Sequence, residues 1–261
     1  MISQPQFKLN FKNKTILLTG ATNPIGRATV SILASLGAKV IFSDTERRVV
    51  RDLEKELRKR GYRNVRGIVV DLSRPEGARR LIKQAMSRSK VLDAFVNCSQ
   101  VDSFIPTEKI KHKDWDKILM INLKRFFLCC QAIVPVMKSQ GSGKIVTLCD
   151  EDGRQGTVSS RDILYSISMG ALFAFTYSLA FELGPYNINV NAVAPGALKD
   201  HSQFYFKDKN KEDLKRFLAQ TDLKRFGEVL EAAYAVVFLA SDWANFITGQ
   251  VFSVNGGLSH N

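Results

Sequence analysis

"KTILLTGATNPIG", Lys14 to Gly26, decides how the chain folds. Its first half is an apolar, β-rich run. Its second half is a glycine-bearing turn that opens the helical pattern "IGRATVSILASLG", which Gly37 stops. A strand, a glycine turn and a helix in that order form the start of an α/β unit, and the chain repeats the alternation outward from there. "AKVIFSD" reads as a second strand, and "ERRVVRDLEKELRKRG" sets Val49, Val50, Leu53 and Leu57 on one helical face before Gly61. Then follow the strand "VRGIVVD", the helix "PEGARRLIKQAMSR", the strand "LDAFVN" and a long helix from about Asp114 to Ser139. The strand "GKIVTLC", the Tyr165 helix to about Leu183 and the strand "NINVNAVAPG" come next. A Lys- and Phe-rich segment at 197–226, the helix "EVLEAAYAVVFLAS" and the strand "GQVFSVNGG" complete the order. Near-continuously apolar strands predict a parallel sheet covered on both faces, and right-handed crossovers make it doubly wound. The expected fold class is therefore α/β, one domain over residues 1–261, with a ligand crevice at the carboxyl ends of the strands.

Composition agrees with a single large core: 261 residues, 45% of them apolar. The apolar runs, such as "ALFAFTYSLAF" from Ala171, read as too short and interrupted to span a bilayer, and "MISQPQFKLN" lacks the segments of a secretion signal, so the expectation is a cytoplasmic protein. Cys98, Cys129, Cys130 and Cys149 have neither CxxC nor histidine spacing, and are expected to be buried thiols with no metal role. The net charge is +13, and residues 1–90 hold 20 Lys and Arg against 7 Asp and Glu. Such a basic third could recruit nucleic acid, an anionic membrane or an acidic carrier protein, but no aromatics interleave the charges, and solvated helix faces are the expected explanation.

The turn "TGATNPIG" directs the functional reading. Glycines let a backbone approach a pyrophosphate, and a helix N-terminus offers it N–H groups and a positive dipole end. That makes Gly20, Asn23, Ile25 and Gly26 candidate cofactor contacts. Asp44 closes the second strand 24 residues after Gly20, where a carboxylate can accept from an adenosine ribose and repels a 2′-phosphate, favouring NAD over NADP.

With "VVDLS", "FVNCSQ", "MINLKRFF", Tyr165, "NVNAVAPG" and "FITGQVFSVNGG" in order, the sequence resembles the short-chain dehydrogenase/reductase family, in its 3-oxoacyl-ACP-reductase-like branch. The resemblance covers essentially the whole chain. It implies a Rossmann-type fold, a substrate lid at 197–226, and cofactor contacts from Asp71, Leu72, Asn97, Pro195 and Gly196. It also implies an Asn, Ser, Tyr and Lys tetrad. Asn122 and Tyr165 match the asparagine and tyrosine, the serine's place falls on Asp150, and the lysine's falls on Met169. In the family the lysine lowers the tyrosine pKa and holds the nicotinamide ribose, the serine positions the carbonyl, and the asparagine supports a proton relay through water.

Other departures converge on the same crevice. Pro24 replaces a turn glycine and deletes an N–H, Gln100 replaces a glycine expected close to the adenosine, and Asp200 stands where a threonine usually meets the cofactor. The leading expectation is a divergent family member that still binds NAD(H), with oxidoreductase activity impaired or lost. One alternative is a working NAD-dependent oxidoreductase on a carbonyl or secondary alcohol such as a 3-oxoacyl thioester, with Tyr165 as proton donor and Phe204, Tyr205, Phe206, Phe217 and Phe226 suggesting an apolar substrate. Another is a cofactor-independent enzyme using Asp150 and Tyr165 as an acid–base pair. The helices "INLKRFFLCCQAIVPVM" and "YSISMGALFAFTYSLAFEL" are more apolar than solvated helices should be, and predict a homodimer or homotetramer.

Overall fold

The computed structural model describes residues 9–156, 163–199 and 218–260, together with 212 and 215. Strands β1 (Thr15–Thr19), β2 (Lys39–Asp44) and β3 (Val65–Val69) alternate with helices α1 (Pro24–Ser35), α2 (Arg47–Lys59) and α3 (Pro75–Met86). After β4 (Ala94–Asn97), α4 (His112–Leu119) runs through a π-helical turn, Met120–Lys124, into α5 (Arg125–Gln140). Then come β5 (Gly143–Leu148), a short α6 (Asp152–Gln155), α7 (Ile163–Leu183) and β6 (Ile188–Pro195). The described chain closes with α8 (Val229–Leu239) and β7 (Val251–Val254). All seven strands are parallel, in the order β3-β2-β1-β4-β5-β6-β7, so the winding reverses between β1 and β4.

Period-two alternation splits the strand side chains between two apolar layers. Leu17, Ile41 and Phe95 face α3, α5 and α7, where Phe126 meets Phe95 and Phe175 at ring separations of 6.1 and 5.0 Å. Ile16, Leu18, Val40 and Phe42 face α1, α2 and α8. Each such fully buried side chain stabilises the fold by about 1.5–3 kcal/mol, which is why both faces of every central strand read as apolar.

Two details correct the sequence expectations. The long helix after β4 is interrupted by the π-helical turn that carries Asn122. The helical runs His112–Gln140 and Ile163–Tyr186 are also long and apolar enough to cross a bilayer by length and composition. In this fold one face of each packs against the sheet, through Phe126, Ile133, Leu172 and Phe173, while other apolar side chains on them stay exposed. All four cysteines are buried and free, as expected. The outer face of α2 carries i,i+4 ion pairs, Arg48 with Asp52, Arg58 with Glu54 and Arg60 with Glu56, in keeping with a solvated basic face. Asp200, Phe204, Tyr205, Phe206 and Phe217 lie outside the described residues.

Candidate functional site

The carboxyl ends of β1, β4, β5 and β6 bring most of the candidate residues together. Gly20 follows β1 with a positive φ of 73°, and a Cβ there would fall 2.5 Å from the carbonyl carbon of Cys98. A Cβ on Gly26 would fall 2.3 Å from the carbonyl oxygen of Gly20. Both glycines are therefore required by the packing of turn, helix and β4, whatever ligand the turn meets. Asn23 caps α1: its side chain accepts from the Ile25 N–H at 2.9 Å, while Pro24 occupies the first helical position and has no N–H to give. Of the N–H groups expected to face a pyrophosphate, one is missing and one is taken by the cap.

Asp44 stands at the mouth of the turn and accepts from Thr22 Oγ1 at 2.5 Å and from the Thr45 N–H at 2.7 Å. Asp71 accepts from the N–H and the hydroxyl of Ser73, both at 2.8 Å, and these bonds hold its carboxyl below the ordinary aspartate range. Leu72 beside it is buried in the core. Asn97 ties three strands together: Thr19 Oγ1 donates to its Oδ1 at 2.8 Å, and its Nδ2 donates to Thr147 Oγ1 at 3.0 Å. Pro195 ends β6, and a Cβ on Gly196 would fall 2.8 Å from the Cα of Asn255.

The remaining candidates meet at Tyr165. Its Oη lies 3.2 Å from Asp150 Oδ2 and 2.9 Å from Gln100 Oε1. Gln100, expected close to the adenosine, turns its side chain to the Tyr165 hydroxyl, 65 residues away in sequence. Burial, reinforced by the neighbouring Asp152 carboxylate, pushes the Asp150 carboxyl well above its usual range. A phenol has one hydrogen and cannot serve two acceptors. Tyr165 therefore donates to one of these two oxygens at a time.

Met169, one turn after Tyr165, is fully buried among Leu172, Phe173 and Cys149. Helix α6 sits directly on it: a Cβ on Gly153 would fall 2.6 Å from the Gly170 nitrogen and 2.8 Å from the Met169 Cβ. Asn122 is also fully buried, and its side chain is committed to structure. It accepts from the Val101 N–H at 2.8 Å and donates to Val101 O at 3.0 Å and Ser168 Oγ at 2.9 Å. This clamps the loop after β4 onto α7. The sequence reading missed Glu151, which is fully buried, accepts from Ser259 Oγ at 2.8 Å and pairs with Arg154 at 3.5 Å. Nothing in "CDEDGR" separates Glu151 from its acidic neighbours, and only the position of the chain's last residues reveals its partner.

The raised Asp150 pKa has a measurable sign. Below the ordinary aspartate range both folded and unfolded chains hold the proton. As pH rises through that range the unfolded chain ionises first, so stability falls until pH passes the folded pKa. Asp150→Asn is expected to remove this dependence, so the variant gains on the parent as pH rises from about 4 towards about 8, read by urea unfolding. A constant difference across that range would contradict the desolvated carboxyl.

Comparisons with known proteins agree with this fold. A family model described as enoyl-(acyl carrier protein) reductase matches residues 20–259. The 3-oxoacyl-[acyl-carrier-protein] reductase FabG of Aquifex aeolicus is 32% identical over 251 residues, covering 96% of this chain and 99% of its own. The corresponding reductase of Escherichia coli is 30% identical over 250 residues, with the same coverage of 96% and 99%. Among solved structures, gox2181 superposes with a TM-score of 0.90 at 29% identity, covering 95% of this chain and 96% of that one. A short-chain dehydrogenase/reductase titled glucose/ribitol dehydrogenase, from Brucella melitensis, gives 0.85 at 28% identity, over 97% of this chain and 100% of that one. The chain belongs to the short-chain dehydrogenase/reductase family, in its 3-oxoacyl-ACP-reductase-like branch.

Proposed function

We propose that this chain is a family member whose oxidoreductase step is impaired or lost, while the adenosine end of the crevice retains the means to hold NAD(H). The observation that carries the reading is the Tyr165 hydroxyl bound between Asp150 and Gln100, above a fully buried Met169. A free tyrosine titrates near about 10. A neighbouring cation would favour the phenolate, and a carboxyl with a raised pKa does not. Losing such acid–base assistance costs a rate factor of about 10² to 10⁴. For the cofactor, Asp44 and Thr22 suit a ribose diol and disfavour a 2′-phosphate, so NAD is preferred to NADP. The capped start of α1 gives a pyrophosphate fewer N–H donors, and Gln100 with Met169 does not fit a nicotinamide ribose beside Tyr165. Assays should use NADH with ketones and 3-oxoacyl thioesters, the latter because FabG relatives are named 3-oxoacyl carrier-protein reductases. Turnover no higher than that of Tyr165→Phe is expected, and turnover clearly above that control would sink the proposal.

A second reading, a working oxidoreductase on a carbonyl or secondary alcohol, draws support from the same contact. A protonated Asp150 behind Tyr165 could resupply a proton to the phenol. It requires micromolar NADH affinity, and the absence of calorimetric binding at millimolar NADH would exclude it.

Assembly as a homodimer or homotetramer, in the cytoplasm, completes the proposal. Phe181 on α7 is 88% exposed, with Tyr177, Phe127 and Ile167 also exposed on α5 and α7. On the opposite layer Phe246 is fully exposed near Trp243, Tyr234 and Phe252. Patches of this kind mark protein interfaces. Sedimentation as an oligomer is expected, and Phe181→Glu should shift it toward the monomer. A parent that sediments as a monomer at micromolar concentration would refute the assembly.

A further inference from the structure

At the amino ends of the strands, opposite the crevice, lies a cavity of about 270 Å³. Its walls come from the segment before β1, the starts of β5 and β6, and the turn after α8. Two lysines line it. Lys14 is neutralised, its Nζ 3.1 Å from Asp242 and 3.6 Å from Asp93. Asp93 is further committed, accepting from the Thr15 N–H at 2.7 Å.

Lys144 has no such partner. Its side chain is 7% exposed, and its Nζ makes one hydrogen bond, 3.1 Å to the neutral amide oxygen of Asn189. No ion pair joins it to any carboxylate among the described residues. Asn189 is fixed in this orientation because its Nδ2 donates to the carbonyls of Asn245 and Ile247, both at 3.0 Å. Burial and the Lys14 charge push the Lys144 ammonium down, against a pull from Asp242. A buried cation with two donors unspent and only a neutral acceptor is costly unless an anion joins it. Asn10, Ser142, Asn187 and Ser241 add small polar groups to the wall, and Phe11 and Ala240 apolar ones.

We infer that this cavity is a binding site for a small oxyanion, held by Lys144, the wall's one lysine without a carboxylate partner among the described residues, and flanked by the amide and hydroxyl side chains. Its volume admits a phosphate or a short carboxylic acid. It lies at the far end of the sheet from Tyr165, so its ligand is separate from anything the crevice takes.

The test uses the full chain, titrated by calorimetry and thermal unfolding with inorganic phosphate and, separately, with malonate, each at constant ionic strength set by sodium chloride. Saturable binding of at least one, with a rise in the unfolding midpoint, is expected. The tighter of the two decides between a phosphate and a carboxylate source. Lys144→Met should weaken binding at least about tenfold. Asn187→Asp keeps a residue that tolerates the positive φ of 58°, gives up only the exposed, 3.3 Å donation of the Asn187 amide to Gly141 O, and adds a negative charge to the wall, so it should still fold and bind more weakly. Equal midpoint shifts in parent and Asn187→Asp, or no saturable binding of either anion by the parent, would overturn the site.

Discussion

Met169→Lys combined with Asp150→Ser and Gln100→Gly is expected to raise NADH-dependent turnover of a 3-oxoacyl thioester at least about 10² above the parent. Each change answers one contact. The serine removes the carboxyl that lies 3.2 Å from Tyr165 Oη, and the glycine frees the side of the phenol that Gln100 holds at 2.9 Å. The lysine supplies the cation that the family places one helical turn after the tyrosine. All three are needed together. Met169 is fully buried beneath α6, and an ammonium placed there alone would carry a desolvation cost and pair with Asp150 rather than serve Tyr165. Tyr165→Phe in the triple background should abolish the gain. If the triple variant folds and binds NADH yet stays silent, the explanation through Tyr165 fails; if it folds and does not bind NADH, the defect lies at the capped phosphate turn with Pro24.

Gly20→Ala is expected to destabilise the fold by about 3 kcal/mol, lowering the unfolding midpoint by roughly 6–12 °C. The residue sits at φ 73°, where an L side chain is strained, and the added Cβ would press on the backbone of Cys98 and Ser99 at 2.5 Å. Neither atom is the end of a flexible side chain, so relief must come from moving β4 away from the turn. This loss is expected in the absence of any nucleotide. A variant as stable as the parent that merely binds NADH more weakly would mean that the glycine serves the ligand alone.

That second expectation bears on how far a motif can be read. "TGATNPIG" correctly announces the strand, turn and helix, because a positive φ and the close approach of helix to strand are local demands that glycine meets. The same demands make Gly20 and Gly26 necessary in a fold with no cofactor, so the motif by itself speaks to architecture more firmly than to binding. Asn97 repeats the lesson, since its amide is spent joining β1, β4 and β5. Asn122 does so again, spent between Val101 and Ser168.

The sequence by itself determined the order of strands and helices, the parallel sheet, the buried thiols and the lack of a lysine after Tyr165. These follow from apolar periodicity and from spacing along one helix, which neighbours in the chain settle among themselves. Only the tertiary structure decided that Gln100 meets Tyr165, that Glu151 meets Ser259, and that Lys144 lines a cavity with no carboxylate paired to it among the described residues. Those partners are joined by crossovers tens of residues long, and their meeting depends on strand register and on how closely one backbone can approach another. Gly153 against Gly170 is the case in point: two glycines let α6 settle on α7 and cover Met169.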